Sequence, residues 1–189
     1  PIGGLIVGLL LTGLIITVFA KRRPAPVNKV FGKLQIISSA WFALTHGAND
    51  GQKTMGIIAL ILFSAGLIPE LEIPLWVIFA AAAAMGLGTF FGGYKVIKTL
   101  GVKITRLRPY QGFAAETGGG LMLAAFAILG IPASTTHAIT GTIMGAGAAR
   151  RKLAVRWKVS RQIVFSWIIT IPGAAAMGIG FTYLIHLFV

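Results

Sequence analysis

The chain has 189 residues, 56% of them hydrophobic and 11% charged, with a mean hydropathy of +0.86, too apolar for the surface of a soluble domain of this size. The net charge of +13 would suit a nucleic-acid binder, but sixteen of the seventeen Lys and Arg fall in three clusters between apolar segments, as expected of cytoplasmic loops and not of a nucleic-acid surface. With no cysteine, thiol and Cys-based metal chemistry are excluded and the redox compartment is left unread.

Several apolar runs reach the roughly 17 to 25 residues that span a bilayer as a helix, and no alternating strand pattern competes with them. The sequence predicts an all-α, polytopic membrane protein. Residues 2–20 form the first crossing, directed inward. This run lacks a basic n-region and a cleavage site, so it does not read as a signal peptide, and with no initiator Met the chain is expected to begin inside a longer protein. The first basic cluster, "KRRPAPVNKVFGK" (21–33), follows. Residues 34–67 then carry the chain outward, interrupted at "HGAND" (46–50), which predicts a broken helix. "GLIPELEIP" (66–74) holds Glu70 and Glu72 with no base and is placed outside.

Residues 74–92 cross inward again. The second basic cluster, "YKVIKTLGVKITRLR" (94–108), carries Ile97, Leu100, Ile104 and Leu107 at helical spacing, which predicts an amphipathic helix on the inner interface. Residues 112–149 run between two basic clusters and must go in and come back, turning at "GIPASTTHAITG" (130–141). Pro132 disfavours helix at the residue before it, Gly130 suits a C-cap, and Ser134 or Thr135 suits an N-cap. A re-entrant-like helical hairpin with a polar tip is expected. The third cluster, "ARRKLAVRWKVSR" (149–161), precedes an outward crossing over 162–187 that Pro172 should kink. The small-residue runs at 79–93 and 173–180 read as close helix-packing surfaces. No internal repeat is found, so residues 1–189 form a single transmembrane unit.

Once the loop charges are set aside, Asp50, Lys53 and Glu116 remain in apolar segments, together with His46 and His137. Charges at membrane depth cost at least about 2.5 to 3.5 kcal/mol each and usually face a cavity or a partner. Asp50 has two readings. It could cap a helix starting at residue 50, with Lys53 as an intrahelical pair. Alternatively it is a ligand, because non-helical backbone is tolerated in a bilayer where it lines a site. The "ASTT" tip offers hydroxyls and free N–H groups at a helix N-terminus, which suits an oxyanion. "GAND" offers hard oxygen ligands that suit a small cation such as Na⁺. A cation beside the anion site would offset repulsion between the oxyanion and the carboxylates. His46 and Asp50 lack a third zinc ligand, and His137 either fixes the tip or donates to the anion. A nucleophile, base and orienter in mutual reach are not evident, so no enzyme is expected.

"HGANDGQKTMG" (46–56), "GFAAETGGG" (112–120) and "GIPASTTHAITGTIMGAG" (130–147) resemble, in order and separation, the signature stretches of the inorganic phosphate transporter (PiT) family. The resemblance implies one half, most like the C-terminal half of a bacterial-type member, of an inverted-repeat transporter. Its function would be cation-coupled symport of inorganic phosphate, with Na⁺ favoured and H⁺ the alternative, and no cofactor beyond the co-transported ion. By resemblance, Ser134, Thr135, Thr136 and Asn49 bind phosphate, while Asn49, Asp50 and Glu116 bind and couple the cation as one Na⁺ site; Lys53 receives no role. The implied partners are a complementary N-terminal half and the lipid bilayer of the plasma membrane, crossed several times with basic loops cytoplasmic. A homo-oligomer is left open and nucleic acid is excluded. A permease for another oxyanion such as sulfate, or a non-transporting membrane interaction module, stands as the alternative.

Overall fold

A computed structural model describes residues 1–151 and 154–188, and Lys152 of the third basic cluster lies outside them. Six α-helices account for most of the described chain: α1 Ile2–Val18, α2 Pro24–Ser64, α3 Leu75–Lys98, α4 Pro109–Ile128, α5 Thr135–Ala148 and α6 Trp157–Phe188. The all-α expectation holds. Leu75–Ile104 and Trp157–Leu187 are long and apolar enough to cross a membrane, and Ile2–Val18 is a shorter apolar helix. Residues up to Val155 form one compact unit, and the segment from Arg156, which holds α6, forms a second. Within that second unit the helix continues through Pro172.

The predicted break at "HGAND" is absent. α2 is a single helix of 41 residues, about 60 Å of rise, and passes through Gly47, Asn49 and Asp50 without interruption. Gly47 costs only about 1 kcal/mol relative to alanine in a helix. Asn49, the residue best suited to ending the helix, instead donates its amide to the Thr45 carbonyl in its own helix and to the Leu123 carbonyl of α4, each at 3.1 Å. The capping role considered for Asp50 falls with the break. The predicted interfacial helix over 94–108 is also modified: α3 runs to Lys98 and closes in a π-helical turn, Thr99–Ile104. Ile104 is fully buried, whereas Ile97 is exposed.

The hairpin forms as expected. α4 ends in a Schellman motif, with Gly130 at φ 66° and bonds from Gly130 N to Ala127 O (3.2 Å) and from Ile131 N to Phe126 O (2.9 Å), so the last carbonyls of α4 are satisfied locally. Ser134 caps α5, its hydroxyl accepting from His137 N at 3.3 Å. At the base, Gln111 accepts from Arg108 N at 3.0 Å and donates to Ala146 O on α5 at 2.8 Å, which joins the start of α4 to the end of α5.

The core is built from α1, α2, α4 and α5, with α3 against α2. α1 and α5 meet backbone to backbone along two small-residue ridges, Gly4 with Gly8 and Gly141 with Gly145, each a four-residue spacing that places both glycines on one face. A Cβ at Gly8 would collide with the Thr142 carbonyl, and one at Gly145 with the Leu5 carbonyl. α4 is central because Gly118, Gly119 and Gly120 each admit a neighbour: Val7 and Leu11 of α1, Phe42 of α2 with Ile139 of α5, and Trp41 of α2. In the small-residue run at 79–93 Ala81 is buried, but the glycines make no close approach among the described residues. A Cβ at Gly86, Gly88 or Gly92 would meet nothing within 4 Å, and Phe79, Phe90 and Phe91 are exposed. The glycines of the 173–180 run, Gly173, Gly178 and Gly180, likewise have open space where a Cβ would stand.

Two alanine substitutions on α1 should therefore differ in sign. Gly8→Ala forces apart two backbones and should destabilise by about 1 to 3 kcal/mol. Gly13→Ala, where a Cβ meets nothing within 4 Å, should stabilise by about 0.5 to 1 kcal/mol through helix propensity. Unfolding in detergent, followed by circular dichroism, measures both, and equal shifts for the two variants would contradict the packing assignment.

Candidate functional site

α2 presents His46, Asp50 and Lys53 at spacings of four and three, one face of a helix. Asp50 is the centre of this group. Its Oδ2 lies 3.1 Å from His46 Nε2 and accepts a 2.8 Å hydrogen bond from the Thr135 hydroxyl of α5, while its Oδ1 lies 3.1 Å from Lys53 Nζ. Lys53 Nζ also donates to the Ala133 carbonyl, just before α5 begins. One carboxylate and one ammonium thus tie the middle of α2 to both sides of the hairpin tip. The side chains of His46, Asp50 and Lys53 are each about a third exposed, at 39%, 33% and 36%, so the pairs are partly screened and their direct electrostatic contribution to stability is small.

The tip divides its hydroxyls. Thr135 is buried and committed to Asp50, whereas Ser134 and Thr136 are exposed. The amides in the first turn of a helix have no intrahelical acceptor; in α5 the His137 amide is taken by the Ser134 hydroxyl, and the Thr135 and Thr136 amides are the ones beside these hydroxyls. Hydroxyl donors, first-turn amides and a nearby cation form a set suited to a small oxyanion.

Glu116 does not join this group. It accepts from Ser38 Oγ at 2.6 Å and from Gln35 Nε2 at 3.2 Å, both on α2. Ser38 lies twelve residues before Asp50 on that continuous helix, about 18 Å of rise. A single Na⁺ site made by Asn49, Asp50 and Glu116 is therefore not what this fold assembles, because cation–oxygen bonds are only about 2.0 to 2.6 Å long. There are two polar clusters instead. Asn49 joins neither: it is 4% exposed, with its amide nitrogen engaged by two backbone carbonyls, and it docks α2 onto α4.

Gln35, Ser38 and Thr45 do not stand out from the sequence as functional, and Lys53 has there only the intrahelical pairing with Asp50. A signal for the first three was present: Ser38 and Thr45 are seven apart, and Gln35, Ser38, Thr45 and Asn49 form a polar stripe on an apolar helix, at the heptad-like spacing that keeps residues on one face. That stripe is the face α2 turns to α4.

The chain is similar to known proteins of one family. A profile of the phosphate transporter family matches residues 5–178. The chain is 50% identical over 173 residues to a probable low-affinity inorganic phosphate transporter of Rhizobium meliloti, covering 91% of this chain and 52% of that protein. It is 40% identical over 179 residues to a protein of the same description from Bacillus subtilis, covering 94% and 54%. A solved structure described as the sodium-dependent phosphate transporter superimposes with a TM-score of 0.69 at 33% identity, over 84% of this chain and 41% of that one. The chain spans about half the length of the curated relatives it matches.

The Glu116 cluster makes a testable claim about stability. Ser38→Ala removes a short hydrogen bond to a carboxylate and should cost about 1.5 to 3 kcal/mol. Ser39→Ala, whose hydroxyl bonds to Ile36 O of its own helix on an exposed face, should change stability by less than about 0.5 kcal/mol. Denaturant titrations of the two variants in one detergent provide the comparison.

Proposed function

Because the chain belongs to the phosphate transporter family, a family of transporters and not of enzymes, we propose that it is one half of an inverted-repeat symporter that carries inorganic phosphate across the cell membrane together with a cation, Na⁺ in preference to H⁺. The observation that supports this reading most directly is the meeting of the α5 tip with Asp50 and Lys53 of α2. There an oxyanion-binding helix end and a carboxylate able to hold a cation share one locus. Ser134 and Thr136 would hold phosphate through their hydroxyls and the α5 amides, Thr135 would set the position of Asp50, and Asp50 would be the cation ligand. Asn49 supports the site by fixing α2 against α4. Glu116, in its own cluster, would serve a second cation or couple through α4. The basic segments 21–33 and 94–108 would lie on the cytoplasmic side.

A complementary N-terminal half in inverted orientation would complete the transporter. The matched relatives are about twice as long as the region they share with this chain, and α3 leaves Phe79, Phe90 and Phe91 exposed, apolar surface that either lipid or a matching half would cover.

The direct test is uptake of labelled phosphate and of sulfate into proteoliposomes, with Na⁺ and pH gradients imposed separately. Phosphate uptake driven by an inward Na⁺ gradient is expected from the chain assembled with its complementary half, and none from this chain alone. Sulfate uptake in place of phosphate, or uptake indifferent to both gradients, would defeat the reading.

Three variants locate the site within it. Ser134→Ala and Thr136→Ala should each weaken phosphate binding by about 0.5 to 3 kcal/mol per lost hydrogen bond, read by equilibrium binding on folded protein. Asp50→Asn keeps an acceptor for Thr135 but removes the charge, so it should abolish the tightening of phosphate binding by Na⁺. A normal Na⁺ response in that variant would take Asp50 out of the coupling site.

A further inference from the structure

Lys53 is the one base outside the three basic segments, and its ammonium sits in an unusual place for a solvated side chain. It contacts Asp50 Oδ1 at 3.1 Å and the Ala133 carbonyl at the start of the tip. A carboxylate oxygen from one helix and a backbone carbonyl in the non-helical stretch that leads into another are hard oxygen donors, the ligand type that a small alkali cation takes where irregular backbone lines a transporter site. Thr135 and His46 hold the other carboxylate oxygen, so Oδ1 is the face of Asp50 left for a cation, and Lys53 covers it.

We propose that Lys53 is a tethered cation of the transport site, whose ammonium occupies the Asp50–Ala133 position in competition with Na⁺. The inference rests on the phosphate-symporter reading above and adds a specificity-determining residue to it. With Lys53 in place the charge of Asp50 is balanced from within the protein, and phosphate binds at the tip with one fewer free cation. When Lys53 swings out on its flexible four-carbon stem, the same two oxygens become available to Na⁺. The bridge from α2 to the tip through Ala133 is released in the same movement, so exchange of the tethered cation for a free one is linked to freedom of the hairpin.

The competition is read from the Na⁺ dependence of phosphate binding to the transporter assembled with its complementary half, comparing wild type with Lys53→Met and Lys53→Gln. Gln retains a donor for the Ala133 carbonyl but carries no charge, so it separates a charge effect from the loss of a structural latch. Both variants are expected to bind phosphate poorly in Na⁺-free buffer and to recover near-wild-type affinity at saturating Na⁺. Their apparent Na⁺ order should be higher by about one, and direct Na⁺ binding should tighten roughly fivefold or more. An unchanged Na⁺ order and Na⁺ affinity in both variants overturns the proposal. Phosphate binding lost at every Na⁺ concentration in folded protein also overturns it, and would make Lys53 a direct phosphate ligand. Wild-type protein that binds no phosphate defeats the symporter reading instead, and Na⁺ binding to Lys53→Gln measured without phosphate then still decides whether Lys53 and Na⁺ compete.

Discussion

The backbone contact between α1 and α5 is the constraint on which the rest of the structure depends. Gly4 and Gly8 face Gly141 and Gly145 with no side chain between them, so α5 is held at a distance that any Cβ would increase. In an apolar solvent, where burial of apolar side chains gives little preference for protein over lipid, such close contact is the available source of helix association. α5 is only 14 residues long, and its first residue, Thr135, must reach Asp50. Displacing α5 by the width of a methyl group would break the 2.8 Å bond between them. Packing glycines far from the tip therefore set the geometry of the polar site.

α2 distributes polar chemistry along its length. Its early turns hold Gln35 and Ser38 against Glu116, and its middle holds His46, Asp50 and Lys53 against the hairpin tip. Thr45 and Asn49 connect the two groups along the face turned to α4. A helix of 41 residues exceeds the roughly 30 Å of a bilayer's apolar core by a factor of about two, so it either tilts strongly or extends beyond it. The continuity of α2 places both clusters on one helix.

The tip depends on a different economy. Its backbone is satisfied locally at both ends, by the Schellman bonds at Gly130 and the Ser134 cap, and its long-range backbone anchor among the described residues is the bond from Lys53 to Ala133. The tip is closed by local bonds and meets α2 through the Lys53–Ala133 and Thr135–Asp50 contacts.

The sequence alone determined the helical class, the hairpin and its turn, and the residues of the tip, because each rests on local chemistry: apolar run length, a glycine able to take positive φ, a serine able to cap. It also carried the family, through three motifs in order. Tertiary structure decided the remainder. "HGAND" reads as a break because glycine and asparagine are poor helix formers, yet α4 supplies the Leu123 carbonyl that satisfies Asn49 and keeps the helix whole. Asp50 and Glu116 look like partners in the sequence, since both are acids in apolar segments, but which turn of α4 faces which turn of α2 depends on contacts at Gly119, Gly120 and Trp41 that no local pattern encodes. Lys53 could be assigned only to an intrahelical pair with Asp50 until the fold brought Ala133 to it across 80 residues of chain. Spacing along one helix is written in the sequence, whereas the meeting of two helices is settled by the packing of all of them.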